Sequence, residues 1–164
     1  MTKRIVTNVP ASVFARLKKI AQARRIDVQL ILTRYFIERL LYRLAESAER
    51  DNFILKGAML FGVWSEMPYR PTKDLDLLGR GVDDIDAMVA RMATTCRTVV
   101  TADDGVAFDA EAIEGEAIRK RNTMASGFSC RSRLAPCGRA SRSTSASAML
   151  RQGLTTGAIP LCSI

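Results

Sequence analysis

Apolar residues recur at helical spacing over two successive stretches near the start of the chain. Val13, Phe14, Leu17, Ile20 and Ala21 line one side of a segment opened by Pro10-Ala11-Ser12, while Lys18, Lys19, Arg24 and Arg25 fall mostly on the other side. A second stripe, Ile31, Tyr35, Leu40, Leu41 and Leu44, predicts a helix capped by Asp27 that runs to about Glu49. Together the two helices read as a hairpin. Their basic outer face reads either as a solvated surface or as one that meets RNA or a partner protein.

The period then shortens. Phe53, Ile54 and Leu55 predict a short strand, Lys56-Gly57 a turn, and Ala58 to Glu66 an amphipathic helix carrying Met59, Leu60, Val63 and Trp64. Pro68 and Pro71 end that helix and frame Arg70, and Asp74 to Leu78 form the next strand. A further helix is expected from Asp83 to about Thr95, with Ile85, Met88, Val89 and Met92 inward. The stretch VAFDAEAIEGEAI, from Val106, suggests another strand and the start of a helix or strand. The class is therefore α+β, a helical hairpin ahead of a small mixed sheet.

Composition narrows the chemistry. At 164 residues the chain suffices for one ordinary domain with its own core, and 48% hydrophobic against 26% charged residues is a globular balance. Apolar runs are too short to span a membrane, and MTKRIVTNVP lacks the apolar stretch of a secretory signal, so the expected location is the cytoplasm. The net charge of +8 is unevenly spread: residues 1–50 hold 11 Lys/Arg against 4 acids, residues 51–116 hold 6 against 13, and residues 117–164 hold 8 against none. The excess thus equals the contribution of the last segment. With no His, no CxxC pair among the four cysteines and no signal peptide, neither a zinc cage, a secreted disulfide framework nor a His-based triad has support. Carboxylates and oxygen-ligated metals remain.

Carboxylates converge in RPTKDLDLLG, Arg70 to Gly79. Residues two apart on a strand project to one side, so Asp74 and Asp76 share a face while Leu75 and Leu77 take the other. Two acids so close suit a divalent cation such as Mg²⁺, which takes one or two carboxylates and completes its octahedron with water and phosphate oxygens. An edge strand with both acids turned to water meets the same spacing. The context favours phosphate chemistry: a Gly turn at a helix N-terminus presents backbone N–H groups, Lys56 stands beside it, and Arg70 can fork onto a phosphate.

The stretch LKGAMLFGVW...PYRPTKDLDLLGRG, Leu55 to Gly81, contains Lys56-Gly57 and the pattern Arg70-x-Thr72-x-Asp74-x-Asp76, and LTRYFIERLLYRL precedes it. These residues resemble the AbiEii/AbiGii-type toxin family of nucleotidyltransferases, within the DNA polymerase β-like superfamily, over residues 1 to about 119. The resemblance implies a partial polymerase β-like core after the hairpin. It implies Asp74 and Asp76 as ligands of catalytic Mg²⁺ (or Mn²⁺), Lys56 and Gly57 at the phosphates of an NTP, and Arg70 and Thr72 in support. Ala58 stands where the family usually has a second Gly or Ser. The resemblance further implies nucleotide transfer to an acceptor, in some members the 3′ end of tRNA, within a toxin–antitoxin or abortive-infection system with a cognate antitoxin. The reading from a different class is a non-enzymatic basic protein that binds RNA or a partner.

The superfamily's site expects a third carboxylate on a later strand, and no acid follows Glu116. The organisation expected is a helical region over 1–50, a partial nucleotidyltransferase core over 51–120, and an aberrant Ser-, Arg- and Ala-rich tail over 121–164, disordered or poorly packed, which leaves an open sheet edge. Regrouping each codon with the last base of its predecessor lets Ser143 to Leu150 re-read as IDIGFGDA, RQGLT from Arg151 as APGPD, and NTMASGF from Asn122 as EYDGVRV. These strings look like the family's missing downstream strands. They predict a one-nucleotide frame change between about Glu116 and Asn122, and a truncated, impaired or inactive chain.

Overall fold

The computed structural model describes residues 8–60, 73–81, 84–120, 123–134 and 143–151. Helix α1 (Val9–Arg24) begins where Asn8 Oδ1 accepts the Ala11 N–H at 3.0 Å, with Pro10 in the first turn where its missing N–H costs nothing. It stops at Arg25, whose φ of 55° turns the chain so that the Ile26 N–H reaches the Ala21 carbonyl at 2.9 Å. Helix α2 (Val28–Glu46) starts at the expected cap, with Asp27 Oδ1 accepting the Gln29 N–H at 2.8 Å. The helical hairpin of the α+β class is thus present.

Helix α2 is a wedge between α1 and the sheet. On one side Leu32 and Phe36 pack with Val106, Phe14 and Leu17, and on the other Ile37, Leu40 and Leu44 join Phe53, Leu55, Leu75 and Leu77. The stripe expected through Ile31 and Tyr35 is displaced by one position in its first half: Leu32, Phe36 and Ile37 are buried, and Ile31 and Tyr35 only partly so. A helix covered on two sides carries apolar residues around most of its circumference, and a single stripe cannot be selected from period alone.

Helix α3 (Ile85–Arg97) opens at Asp84, whose Oδ2 accepts the Ala87 N–H at 3.0 Å, and buries Met88 and Met92 in the same core as α2. Each fully buried side chain of this kind is worth about 1.5–3 kcal/mol. Of the helix expected over Ala58 to Glu66, residues 58–60 are helical, and 61–66 lie outside the described residues, as do Arg70 and Thr72.

The sheet is mixed. Its order is β1 (Phe53–Lys56), β2 (Asp74–Gly79), β6 (Ser143–Arg151), β5 (Thr123–Leu134), then β3 (Val106–Phe108), with β4 (Glu114–Lys120) also paired to β5. The pair β2–β6 is parallel and the others are antiparallel. Strands β3 and β4 lie end to end on one edge of β5, opposite residues 132–134 and 123–129.

Within the tail expected to be disordered or poorly packed, residues 123–134 and 143–151 are strands, and the edge of β2 expected to be open is paired to β6. The physical reason is that a ladder is made by main-chain groups. Both stretches lack proline, whereas Pro136 falls in the break between them, so each can donate along its length to a neighbour. They cover most of NTMASGF and all of STSASAML, the segments whose alternate reading is strand-like.

Candidate functional site

Strands β1 and β2 set the site by their register. Phe53 pairs with Gly79, Ile54 with Leu78, Leu55 with Leu77 and Lys56 with Asp76. Residues opposite one another in an antiparallel pair share a face, so Lys56 and Asp76 stand side by side, with Asp74 two residues along β2 on the same side. The other face, through Phe53, Leu55, Leu75 and Leu77, is the core face against α2 and α3. Asp74 and Lys56 are exposed and Asp76 is half-buried.

The edge-strand alternative does not hold, because β2 is flanked by β1 and β6. Nor is the acidic face open along its length. Ile54 and Leu78 lie on it at 2% and 3% exposure, outside both helical core clusters. The face is therefore covered at the Ile54 end and accessible at the Lys56 end, which concentrates its polar groups at one corner of the sheet.

Gly57 closes that corner. Its φ of +72° is the left-handed region, and a Cβ there would lie 2.2 Å from Asp76 Oδ2 and 2.9 Å from Asp76 Cγ. The Asp76 carboxylate thus rests directly over the glycine. The Leu60 N–H reaches the Gly57 carbonyl at 3.2 Å, so the next helical turn starts at the glycine itself. The sequence singles out Gly57 for a turn beside phosphates, and the structure adds a second reason, room for a carboxylate.

Asp74 and Asp76 form a donor set of two carboxylates, and among the described residues no cluster of three or more His, Cys, Asp or Glu could hold a metal. Two carboxylates on an accessible face fit a hard cation such as Mg²⁺ or Mn²⁺ that keeps water and substrate oxygens in its remaining positions. They do not fit a closed structural cage. No acid stands on β6 beside them: the register sets Ser147 opposite Asp74 and Met149 opposite Asp76.

A second polar cluster carries no local signal in the sequence. Arg43 on α2 is buried and forks onto Asp104, Nη1 to Oδ2 at 2.8 Å and Nη2 to Oδ1 at 3.0 Å, with further bonds to the carbonyls of Arg39 and Val106 at 3.1 Å each. Both side chains are under 10% exposed, at 7% and 8%. The guanidinium lies 4.9 Å from the Phe108 ring centre, and Tyr35 Oη donates to the Asp104 carbonyl at 2.9 Å. Burial, and secondarily the Asp104 carboxylate, hold the Tyr35 phenol above its ordinary pKa, against the opposing pull of Arg39, Arg16 and Arg43. A cleft of about 500 Å³ opens beside this cluster, lined in part by Cys96, Thr98, Val99 and Asp103. Its buried charges are satisfied by one another, so the cluster fastens the 103–106 segment to α2.

A paired-carboxylate face beside a glycine turn is an arrangement that could accommodate a hard cation and phosphate oxygens. A family model described as Nucleotidyl transferase AbiEii toxin, Type IV TA system, matches residues 39–136, which is 98 of the 164 residues. The chain belongs to this family of nucleotidyl transferase toxins of type IV toxin–antitoxin systems, and that membership implies an antitoxin partner. The match begins within α2, takes in the site strands and α3, and runs on through β5. No curated protein matches the chain. Among the described residues no helix is long and apolar enough to cross a membrane.

Proposed function

We propose that this chain carries the site of a cytoplasmic nucleotidyltransferase that moves a nucleotide from an NTP to an acceptor such as tRNA. In that reaction an acceptor oxygen bonds to the α-phosphorus as the bond to pyrophosphate breaks, and little covalent work falls to the protein beyond placement and charge neutralisation. The observation that carries the reading is the corner where Asp74, Asp76 and Lys56 share one face beside Gly57. Asp74 and Asp76 would hold Mg²⁺ or Mn²⁺, which supplies positive charge against the phosphate oxygens. Lys56 and Gly57 meet the phosphates, with Arg70 and Thr72 at the rim. Transfer would halt growth until the antitoxin intervenes.

We further propose that activity of this chain is impaired, because the third acid of the superfamily's site has no counterpart after Glu116. The alternate-frame reading of Ser143 to Leu150, IDIGFGDA, offers one. The test incubates the chain and its frame-restored counterpart with Mg²⁺, α-labelled NTPs and tRNA. Incorporation by the restored protein, lost in Asp74→Ala and weaker in the chain as it stands, is the expected result. Absence of incorporation from both proteins overturns the enzymatic reading, and codons that fail to yield the re-read strings overturn the frame change.

A further inference from the structure

The basic residues of α1 and its C-cap form a group that makes no ion pair among the described residues, as is also the case for Arg39, Lys56, Lys73 and Arg80 elsewhere. Arg34, Arg43, Arg50, Arg91 and Arg97 each reach an acid within 4 Å. Arg16, Lys18, Lys19, Arg24 and Arg25 do not, among the described residues; Arg16 Nε donates only to the Ser12 carbonyl at 3.4 Å. All five are exposed, and α1 contains no acid to balance them. Val13 and Ala21 mark the buried side of the helix, Lys19 projects from nearly the opposite side, and Lys18 and Arg16 flank it. Exposed Ala11, Ala15, Gln22 and Ala23 occupy the space between, none of them acidic. Arg39 adds to the group at the seam with α2, where its guanidinium is held 5.6 Å from the Tyr35 ring centre and 5.3 Å from that of Tyr42.

Like charges at three- and four-residue spacing destabilise a helix by a few tenths of a kcal/mol per pair. Arg24 and Arg25 are offset by the negative end of the helix dipole, but Arg16, Lys18 and Lys19 in mid-helix are not. Their arrangement gains nothing for the fold and matches a polyanion. From Arg16 to Lys19 the helix rises about 4.5 Å at 1.5 Å per residue, with the three side chains fanned around its outer side, enough to meet about two phosphates of one strand.

We infer that the outer face of α1 docks the phosphate backbone of the RNA acceptor. The inference rests on the proposal that RNA is the acceptor, and it assigns the docking to a helix away from the carboxylates. Docking of this kind positions the RNA without reading its sequence.

The experiment measures binding of fluorescently labelled unfractionated tRNA to the full chain by anisotropy between 50 and 200 mM salt. One variant is R16Q/K18Q/K19Q, and the other, R34Q/R50Q/R97Q, removes the same charge from three arginines that pair with acids. Each phosphate that is no longer neutralised lowers the slope of log K against log salt by about 0.7–0.9. The α1 variant should show a slope smaller by about two and bind at least tenfold more weakly at 100 mM salt, with unchanged helical circular dichroism. The second variant should bind within twofold of the parent. Equal weakening in both variants reduces the effect to net charge and overturns the inference. So does an α1 variant that binds tRNA as the parent does, including one that instead fails to bind an acidic antitoxin. A frame-restored protein that docks tRNA through α1 and transfers no nucleotide counts against the enzymatic reading and leaves the docking face standing.

Discussion

Replacing Gly57 by alanine places a methyl group where the Asp76 carboxylate rests. The added Cβ lies 2.2 Å from Oδ2, and 2.9 Å from both Cβ and Cγ of Asp76, so the carboxylate must retreat by about 1 Å to reach ordinary van der Waals distance. The backbone contributes separately: a φ of +72° costs a non-glycine residue about 1–2 kcal/mol. Loss of stability of about 2–3 kcal/mol is expected in urea unfolding, near the middle of the range for damaging substitutions. Asn tolerates the left-handed region better, so Gly57→Asn should relieve much of the backbone part and retain the clash. The two parts are separable by a double-mutant cycle with Asp76→Ala, which removes the carboxylate under the methyl group and should recover about 1 kcal/mol or more. If Asp76 holds the metal as proposed, Mn²⁺ affinity is the functional readout, because a carboxylate displaced by 1 Å lies outside the tolerance of about 0.5 Å for a coordinating group. A Gly57→Ala protein within 0.5 kcal/mol of the parent, additive with Asp76→Ala and unchanged in Mn²⁺ affinity, would refute the close approach of turn and carboxylate.

Other perturbations test the buried polar cluster. Asp104→Asn leaves Arg43 buried without its counter-charge and should cost about 3–5 kcal/mol in urea unfolding; Arg43→Met with Asp104→Leu should recover much of that, since a packed apolar pair needs no desolvation. Tyr35 has its phenol raised in the folded state by burial, so its contribution is fully present below the unfolded-state pKa and lost as pH rises through the folded one. Thermal stability should therefore fall above about pH 10, and Tyr35→Phe should flatten that fall; an identical slope in the variant excludes Tyr35 as its source.

The parts of this fold legible in the sequence are those fixed by local spacing. Asp74 and Asp76 share a face because the strand period is two, and Asp27 caps α2 because a short acceptor preceding an apolar run satisfies orphan N–H groups. Met88 and Met92 point inward as their helical interval requires. Long-range relations are less visible. Arg43 and Asp104 are 61 residues apart and each alone resembles an ordinary surface charge. The placement of Asp76 over Gly57 depends on pairing Lys56 with Asp76, a register that the hydrophobic pattern restricts but does not name. The parallel pairing of β2 with β6 carries no local signal, since both partners are ordinary strand segments far apart in the chain.

That pairing has a consequence for the order of assembly. Strand β6 lies between β2 and β5, yet it is the last of the described strands to be synthesised, and Asp74 must wait for Ser147, 73 residues later. Until it arrives, a nascent chain holds β1 and β2 as a two-stranded ribbon with one raw edge, which is marginal in water. A toxin whose central strand is made after the strands on either side of it completes its sheet only once that strand has emerged, at the rate of a long loop closure. Any damage to residues 143–151 would therefore strike the middle of the sheet, although they form the last of the described strands in chain order.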